Sequence, residues 1–261
     1  MNRCTRFGRW ALPVLCLSFT YAVGSRLPHQ MPPETVVPVI DEAPTKAHSY
    51  DWMGRHNAVV ERVKKGHVDL LLVGDSITHM WGGDPQPGGP GQEYWEKYFG
   101  SRNAVNLGFG WDRTQHVLWR LDNGEIDGIR PKVAVVMIGT NNMGTNNADD
   151  IATGIKAIVN KLERKLPHIK VLLLGIFPRD HDANTPNRKE IVAVNEKLSA
   201  LGKQRGVTYL DLSSIFLQPD GTISPEIMPD YLHPSPKGFG MWANAMEPTL
   251  AKLFGDKPRT Q

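Results

Sequence analysis

The sequence predicts a single α/β domain of three layers, in which a mainly parallel five-stranded sheet lies between two layers of helices. Short apolar runs without polar alternation recur along the chain, a pattern typical of strands that are buried on both faces. Longer segments with helical periodicity separate these runs, and alternation of strands and helices is typical of a parallel sheet. The chain has 261 residues, 40% of them hydrophobic, which is enough apolar material for one core.

The predicted elements follow one another in a regular order. The first helix is expected at 50–65, because Trp52, Val59 and Val63 recur at helical spacing before the stop at Gly66. The predicted strands are 68–73, 104–106, 133–138, 171–176 and 207–210, and the later helices are 114–123, 148–166, 187–205 and 236–254. Active sites in such sheets lie beyond the carboxyl ends of the strands, so functional residues are expected there.

The N-terminus has the pattern of a secretory signal. Arg3, Arg6 and Arg9 precede an apolar run that Pro13 interrupts, and small residues follow it. The run is shorter than the roughly 20 residues that span a bilayer. We therefore predict a secreted or periplasmic protein without a stable membrane span once the signal is removed; an uncleaved signal that anchors the protein is the alternative.

The sequence divides into four parts. Residues 1–24 are the predicted signal, 25–48 an extended linker with five prolines, 49–256 the folded domain and 257–261 a short tail. Removal of the signal takes away three of the 30 Lys and Arg residues, none of the 27 Asp and Glu residues, and both cysteines. The mature net charge is then near zero, which argues against a nucleic-acid partner.

A serine stands directly after the first predicted strand, in the sequence Gly74-Asp75-Ser76-Ile77-Thr78. This position at a strand-to-helix turn makes Ser76 a candidate nucleophile, although a helix N-cap serine would fit the same five residues. The α/β-hydrolase elbow is disfavoured, because Thr78 stands where its motif requires a second glycine.

A serine nucleophile needs a base and a group that orients the base. Asp230 and His233 lie three residues apart in a proline-rich loop before the last predicted helix, so that both side chains could face one way. A surface Asp and His without a role is the alternative.

Acyl transfer also needs hydrogen-bond donors for the developing oxyanion. Gly108 follows the second predicted strand and Asn141 follows the third, so each is a candidate donor. Taken alone, each could instead be an ordinary turn residue or cap.

These motifs, in this order, resemble the SGNH (GDSL-type) hydrolases. The resemblance implies a flavodoxin-like SGNH fold, a triad of Ser76, His233 and Asp230, and an oxyanion hole made by Ser76, Gly108 and Asn141. It implies no metal and no organic cofactor. The third block departs from the family's usual Gly-x-Asn-Asp, because Asn142 stands at its final position.

A closer resemblance, over about residues 50–254, is to the catalytic subunits of intracellular platelet-activating-factor acetylhydrolase. It rests on the segments 52–57, 74–76, 106–110, 116–121 and 139–142. It implies hydrolysis of short acyl esters, acetyl especially, and points to a homodimer. Two departures lie beside the motifs: a Gly/Pro-rich stretch at 82–91, and Trp111 where the family commonly has glycine.

Export favours an extracellular substrate, so we expect a serine esterase that acts on small esters or on acetylated polysaccharides. Asp75, Trp111 and Tyr231 are candidate substrate-binding residues, with ordinary packing as the alternative for the aromatic ones. A phospholipid acetylhydrolase, a lysophospholipase or thioesterase, and a catalytically silent carbohydrate- or lipid-binding protein remain as other functions.

Overall fold

A sheet of five parallel strands forms the centre of the fold in the computed structural model, which describes Met1 and residues 32–41 and 50–259. The strands are β1 (Leu70–Gly74), β2 (Ala104–Gly108), β3 (Val133–Met137), β4 (Lys170–Leu174) and β5 (Val207–Leu210), in the order β2-β1-β3-β4-β5. Every neighbouring pair is parallel. The predicted three-layer α/β/α fold is confirmed.

Helices cover both faces of the sheet. They are α1 (Trp52–Lys64), α2 (Ser76–His79), α3 (Gln92–Tyr98), α4 (Thr114–Asp122), α5 (Ala148–Lys165), α6 (Pro186–Ser199) and α7 (Pro236–Phe254). Side chains of α1, α4, α5 and α6 pack on one face, and those of α3 and α7 pack on the other. Successive strand residues alternate between these two cores, which is why the strands read as continuous apolar runs.

Two short helices were not predicted from the sequence. The helix α2 has only 4 residues and α3 only 7, too few for a helical period to stand out. The predicted helix at 187–205 ends earlier, because α6 stops at Ser199 and a 3₁₀ turn continues it to Lys203.

Part of the predicted linker packs on the domain. A 3₁₀ turn at Glu34–Val36 buries Thr35, whose hydroxyl donates to the Asp150 carbonyl at 2.7 Å. The Thr35 carbonyl accepts a hydrogen bond from the Thr114 hydroxyl at 2.9 Å. Residues 32–41 therefore differ from the expected extended linker, since buried hydrogen bonds fix them to α4 and α5.

The predicted signal at 2–24 and the linker residues 25–31 and 42–49 lie outside the described residues. Within the part of the chain that the structure describes, no helix is both long and apolar enough to cross a membrane.

Candidate active site

Ser76 lies at the carboxyl edge of the sheet, because β1 ends at Gly74 and α2 begins at Ser76. A side chain at Gly74 would overlap the hydroxyl of Thr78 and the carbonyl of Met137, so only glycine allows the turn to pack this closely. As the first residue of α2, Ser76 also carries one of the backbone N–H groups that lack a partner within a helix.

Ser76, His233 and Asp230 form a continuous chain of hydrogen-bonding groups. The Ser76 Oγ lies 2.9 Å from the His233 Nε2, and the His233 Nδ1 lies 2.6 Å from the Asp230 Oδ2. The second carboxylate oxygen of Asp230 accepts the backbone N–H groups of Leu232, at 3.1 Å, and of His233, at 2.8 Å. The structure thus brings together the three residues proposed from the sequence as nucleophile, base and orienting acid.

The surroundings of Asp230 favour its charged form. Partial burial raises the pKa of this carboxyl, but the hydrogen bonds from the His233 ring and backbone outweigh burial, and the pKa is lowered overall. An ionised Asp230 keeps the Nδ1 proton of His233 directed toward itself.

The loop that carries His233 is held at both ends. The Tyr231 carbonyl accepts the backbone N–H of Asp180 at 2.9 Å, and the backbone N–H of Ser235 donates to the Ile227 carbonyl at 2.8 Å. Ser235 is also the N-cap of α7, and Pro236 follows at its first position. These contacts fix the approach of His233 to Ser76.

Asn141 lies beyond the carboxyl end of β3, in the 3₁₀ turn Thr140–Asn142. Its side-chain amide donates one hydrogen bond to the Asp112 carbonyl at 3.0 Å, and an amide group has a second N–H. The neighbouring Asn142 is buried, and its side-chain oxygen accepts the backbone N–H of Thr114 at 3.0 Å. Asn142, which stands where the family usually has Asp, therefore holds the first residue of α4.

Gly108, the predicted oxyanion donor at the end of β2, already has a partner for its backbone N–H. Its backbone N–H donates to the side-chain oxygen of Asn106 at 2.8 Å, and Gly108 is not among the residues that line the cavity at Ser76. Glycine is required here for another reason, because a side chain would overlap the backbone of Thr78 and His79 in α2.

Two of the predicted substrate-binding residues also point elsewhere. Asp75 is 1% exposed, and its carboxylate caps α2 by accepting the Ile77 N–H at 3.0 Å. Tyr231 packs edge-on against His181, with ring centres 5.1 Å apart, and does not line the cavity at Ser76. The cap and the ring contact are structural roles that sequence position did not reveal.

The burial of Asp75 predicts that the stability of the fold depends on pH. Burial raises the pKa of this carboxyl well above the ordinary range for an aspartate, to about 7, so the folded protein favours the protonated form below that pH. The contribution of Asp75 to stability is then fully present below about pH 4 and is lost as the pH rises through about 7. We expect Asp75→Asn, which keeps a capping oxygen, to flatten this part of the stability profile. Urea unfolding of both proteins across this range tests the expectation, and identical profiles would contradict it.

A cavity of about 530 Å³ opens in front of Ser76 and His233. The Gly/Pro-rich stretch supplies one wall through residues 86–89, and Tyr50, His79 and Leu232 line other parts. Trp111 stands at the rim with 57% of its surface exposed and a φ of 68°, a backbone conformation that is costly for a bulky residue. Of the three predicted substrate-binding residues, the structure places only Trp111 at the cavity.

Tyr50 and His79 hold the turn between Gly110 and Trp111, and sequence reasoning missed both. The Tyr50 hydroxyl donates to the Gly110 carbonyl at 3.0 Å, and the Gly110 N–H donates to the His79 Nδ1 at 3.3 Å. Burial, together with the positive charges of Arg55 and Arg120, lowers the pKa of His79 to about 3, so its ring stays neutral and can accept. A lone Tyr and a lone His carry no motif that would have identified them.

A buried network of charges supports the same turn from below. The Arg120 guanidinium pairs with Asp112, with a nitrogen 2.8 Å from the carboxylate, and with Glu125; all three side chains are fully buried. Arg55 donates to the carbonyls of Gly108, at 2.8 Å, and of Asn106, at 3.2 Å. The network therefore ties the end of β2 to α1 and α4.

Asp41, Asp112 and His116 bring ligand atoms within 4.8 Å of one another. Two of these three groups already take part in other contacts, because Asp112 accepts from Trp52 and Arg120, and the His116 Nδ1 accepts the backbone N–H of Arg113. Asp112 and His116 therefore serve the packing around α4.

The model of the GDSL-like lipase/acylhydrolase family matches residues 72–240, which include Ser76, Asn141, Asp230 and His233. The chain belongs to this family. The GDSL-type resemblance inferred from the sequence motifs is therefore confirmed, and the family identifies the chain as an ester hydrolase.

The esterase is similar to two subunits of platelet-activating factor acetylhydrolase. It is 37% identical to the platelet-activating factor acetylhydrolase IB subunit alpha2 of Rattus norvegicus over 210 residues, 79% of this chain and 86% of the relative. It is 38% identical to the alpha1 subunit of Homo sapiens over 204 residues, 78% of this chain and 84% of the relative.

Solved structures share the fold of this esterase at low sequence identity. One described as a putative platelet activating factor from Streptococcus pneumonia matches with a TM-score of 0.65 at 19% identity, covering 78% of this chain and 95% of that one. A catalytic mutant of Axe2, an acetylxylan esterase from Geobacillus stearothermophilus, matches with a TM-score of 0.58 at 17% identity. The match covers 75% of this chain and 98% of that one.

Proposed function

We propose that this protein is a serine esterase that hydrolyses short-chain esters through a triad of Ser76, His233 and Asp230. The observation that carries the proposal is the uninterrupted set of contacts from the Ser76 hydroxyl through the His233 ring to the Asp230 carboxylate. A serine hydroxyl becomes an effective nucleophile when a base oriented in this way accepts its proton. An intact triad disfavours a catalytically silent binding protein.

The reaction proceeds in two acyl-transfer steps. The Ser76 Oγ attacks the ester carbonyl carbon while its proton passes to the His233 Nε2, and a tetrahedral oxyanion forms. The oxyanion collapses, the C–O bond to the alcohol breaks, and His233 returns the proton to the departing alcohol oxygen. Water then attacks the acyl-enzyme, gives a proton to His233, and releases the acid as Ser76 recovers its hydroxyl proton. Asp230 stabilises the imidazolium in both steps.

The oxyanion is stabilised by donors at the ends of three strands. We assign the Ser76 N–H at the start of α2 and the second N–H of the Asn141 amide, since both residues line the cavity. For the third donor we propose the backbone N–H of Trp111 in place of Gly108, because the N–H groups of Gly108 and Gly110 already donate to Asn106 and His79 and Trp111 lines the same cavity.

The substrate we propose is an acetyl-type ester outside the cytoplasm. The acetylhydrolase names of the relatives support a short acyl group, and the N-terminal signal pattern supports export. An acetylated carbohydrate fits an exported enzyme, and a solved neighbour of similar fold is described as an acetylxylan esterase. The relatives' names favour an acetylated phospholipid as the second candidate substrate.

Asp230→Asn tests the proposed triad. An amide at this position no longer stabilises the imidazolium and favours the wrong tautomer of His233, so we expect kcat for p-nitrophenyl acetate to fall by roughly 10³- to 10⁴-fold. Asp220→Asn is the matched control, because Asp220 is also an exposed loop carboxylate that accepts a backbone N–H, at 2.9 Å from Thr222. Equal activity of the two variants would contradict the role of Asp230.

A further inference from the structure

A second cavity adjoins the one at Ser76. It has a volume of about 610 Å³, and it shares Trp111 and Asn141 with the catalytic cavity. A substrate whose ester lies at Ser76 can therefore extend past Trp111 into further space. An acetyl ester of a small alcohol would leave this second cavity empty, so its presence points to a larger alcohol.

Trp111 lines both cavities and has a backbone conformation that is rare for a large side chain. Its φ of 68° is unfavourable for a residue of this size, and 57% of its surface is exposed. Strained residues that persist beside an active site are often part of its function. An exposed indole between two cavities offers a flat apolar face to a bound ligand.

The lining of the second cavity combines polar and apolar groups in similar measure. Arg179 and Thr140 lie on one side, where an Arg179 Nη donates to both oxygens of Thr140 at 3.2 Å. The buried Nε of Arg179 has no hydrogen-bond partner among the described residues and lies 3.8 Å from an oxygen of Asp180. Arg113 and Thr145 supply further polar groups, and apolar groups come from Val39, Ile40 and Met143.

We propose that the second cavity binds the alcohol portion of the substrate, and that this portion is an oligosaccharide with one sugar ring stacked on Trp111. The inference rests on the proposed esterase function of the adjoining site. A sugar ring has apolar C–H faces that pack on an indole and a rim of hydroxyls that pair with arginine and threonine. An acyl-chain tail would instead favour an uninterrupted apolar wall, which the arginine and threonine lining does not provide.

The experiment measures how the rate depends on the length of the sugar chain. We compare kcat/KM for fully acetylated xylose, xylobiose and xylotriose, and we define the length gain as the ratio of the longest to the shortest. We expect a gain of about tenfold or more for the purified protein, because ring stacking adds binding energy that one sugar cannot reach. Absence of a gain would overturn the proposal.

Variants at Trp111 test whether the length gain depends on the indole ring. Trp111→Gly is expected to reduce the gain to less than about twofold, while Trp111→Tyr keeps most of it by preserving an aromatic face. Glycine adopts a φ of 68° without strain, so the thermal midpoint of Trp111→Gly should not fall below that of the wild type. Val192→Ala, which changes another exposed apolar residue, is the control. A full gain in Trp111→Gly would contradict the assignment.

Two further measurements separate the causes of failure. If p-nitrophenyl acetate is hydrolysed only when Ser76 is present but no length gain exists, the esterase proposal stands and the sugar subsite is refuted. If a 2-acetyl glycerophospholipid is hydrolysed faster than acetylated xylotriose, and this preference depends on Trp111, the cavity binds a lipid and the proposal is overturned. Activity that survives Ser76→Ala would refute the esterase mechanism itself.

Discussion

Ser76→Ala is expected to lower kcat for p-nitrophenyl acetate by about 10⁴- to 10⁶-fold, the largest change in activity that we predict. The substitution removes the oxygen that lies 2.9 Å from the His233 Nε2 and leaves no group to form the acyl-enzyme. Residual activity above the uncatalysed rate would come from the oxyanion donors and substrate binding alone. Initial rates at saturating ester measure the effect.

Ser199→Ala is the matched control for this loss, because Ser199 is an exposed serine at the end of α6. Its hydroxyl donates only to the Glu196 carbonyl at 2.7 Å, so we expect wild-type kcat. If Ser76→Ala were to retain more than about a tenth of the activity of this control, which corresponds to a barrier change below 1.4 kcal/mol, Ser76 would not be the nucleophile.

The largest change in stability is predicted for Arg120→Met. Arg120, Asp112 and Glu125 are fully buried, and the guanidinium is the cation that pairs with both carboxylates. Replacement by an apolar side chain of similar length leaves both acids buried without their cation, which typically costs about 3 to 5 kcal/mol. We expect a loss of this size in the free energy of unfolding in urea at neutral pH.

Lys64→Met provides the comparison for a surface ion pair. Lys64 pairs with Glu61 at 2.7 Å, and both side chains are about two thirds exposed, at 65% and 67%. Solvent screening limits such a pair to about 0 to 1 kcal/mol. Similar losses in the two variants would show that the buried network contributes no more than an ordinary surface contact.

The network also explains why loss of Arg120 should affect more than stability. Arg120 donates to the Leu107 carbonyl at 3.2 Å, and its guanidinium lies 3.8 Å from the ring centre of Phe109. Both residues belong to the segment that leads to Trp111 at the cavity rim. We therefore attribute to Arg120 a positioning role as well as a structural one.

The central residues of the candidate site could be predicted because the carboxyl ends of parallel strands lie side by side at one edge of the sheet. Gly74 pairs with both Gly108 and Met137 in the sheet register, so the segments that follow β1, β2 and β3 meet at one edge. Apolar runs in the sequence mark where those strands end. The residue types that follow, serine after β1 and asparagine after β3, then limit the chemistry that the edge can perform.

The oxyanion donor near the end of β2 could not be assigned from the sequence, since two glycines, Gly108 and Gly110, stand close together there. Gly108 fits the motif, but Asn106 accepts its N–H, and that side-chain contact exists only in the folded chain. In the same way, Asp75 stands beside Ser76 in the sequence and yet turns inward to cap α2. Sequence adjacency to a site does not determine which way a side chain points.

Trp111 illustrates the opposite case. Its departure from the family's usual glycine was visible in the sequence, but its backbone conformation and its place between two cavities were not. The structure also gives a role to the Gly/Pro-rich stretch, whose residues 86–89 form a wall of the catalytic cavity. Features that set this chain apart from its family therefore cluster at the mouth of the site.

Covalent labelling of Ser76 tests the central claim most directly. A phosphonate ester such as p-nitrophenyl ethyl methylphosphonate reacts with an activated serine and leaves a stable adduct, which mass spectrometry of peptides locates. We predict one adduct per chain, at Ser76, formed far more slowly in His233→Ala and absent from Ser76→Ala. Labelling at another residue, or a rate at Ser76 that does not depend on His233, would contradict the proposed mechanism.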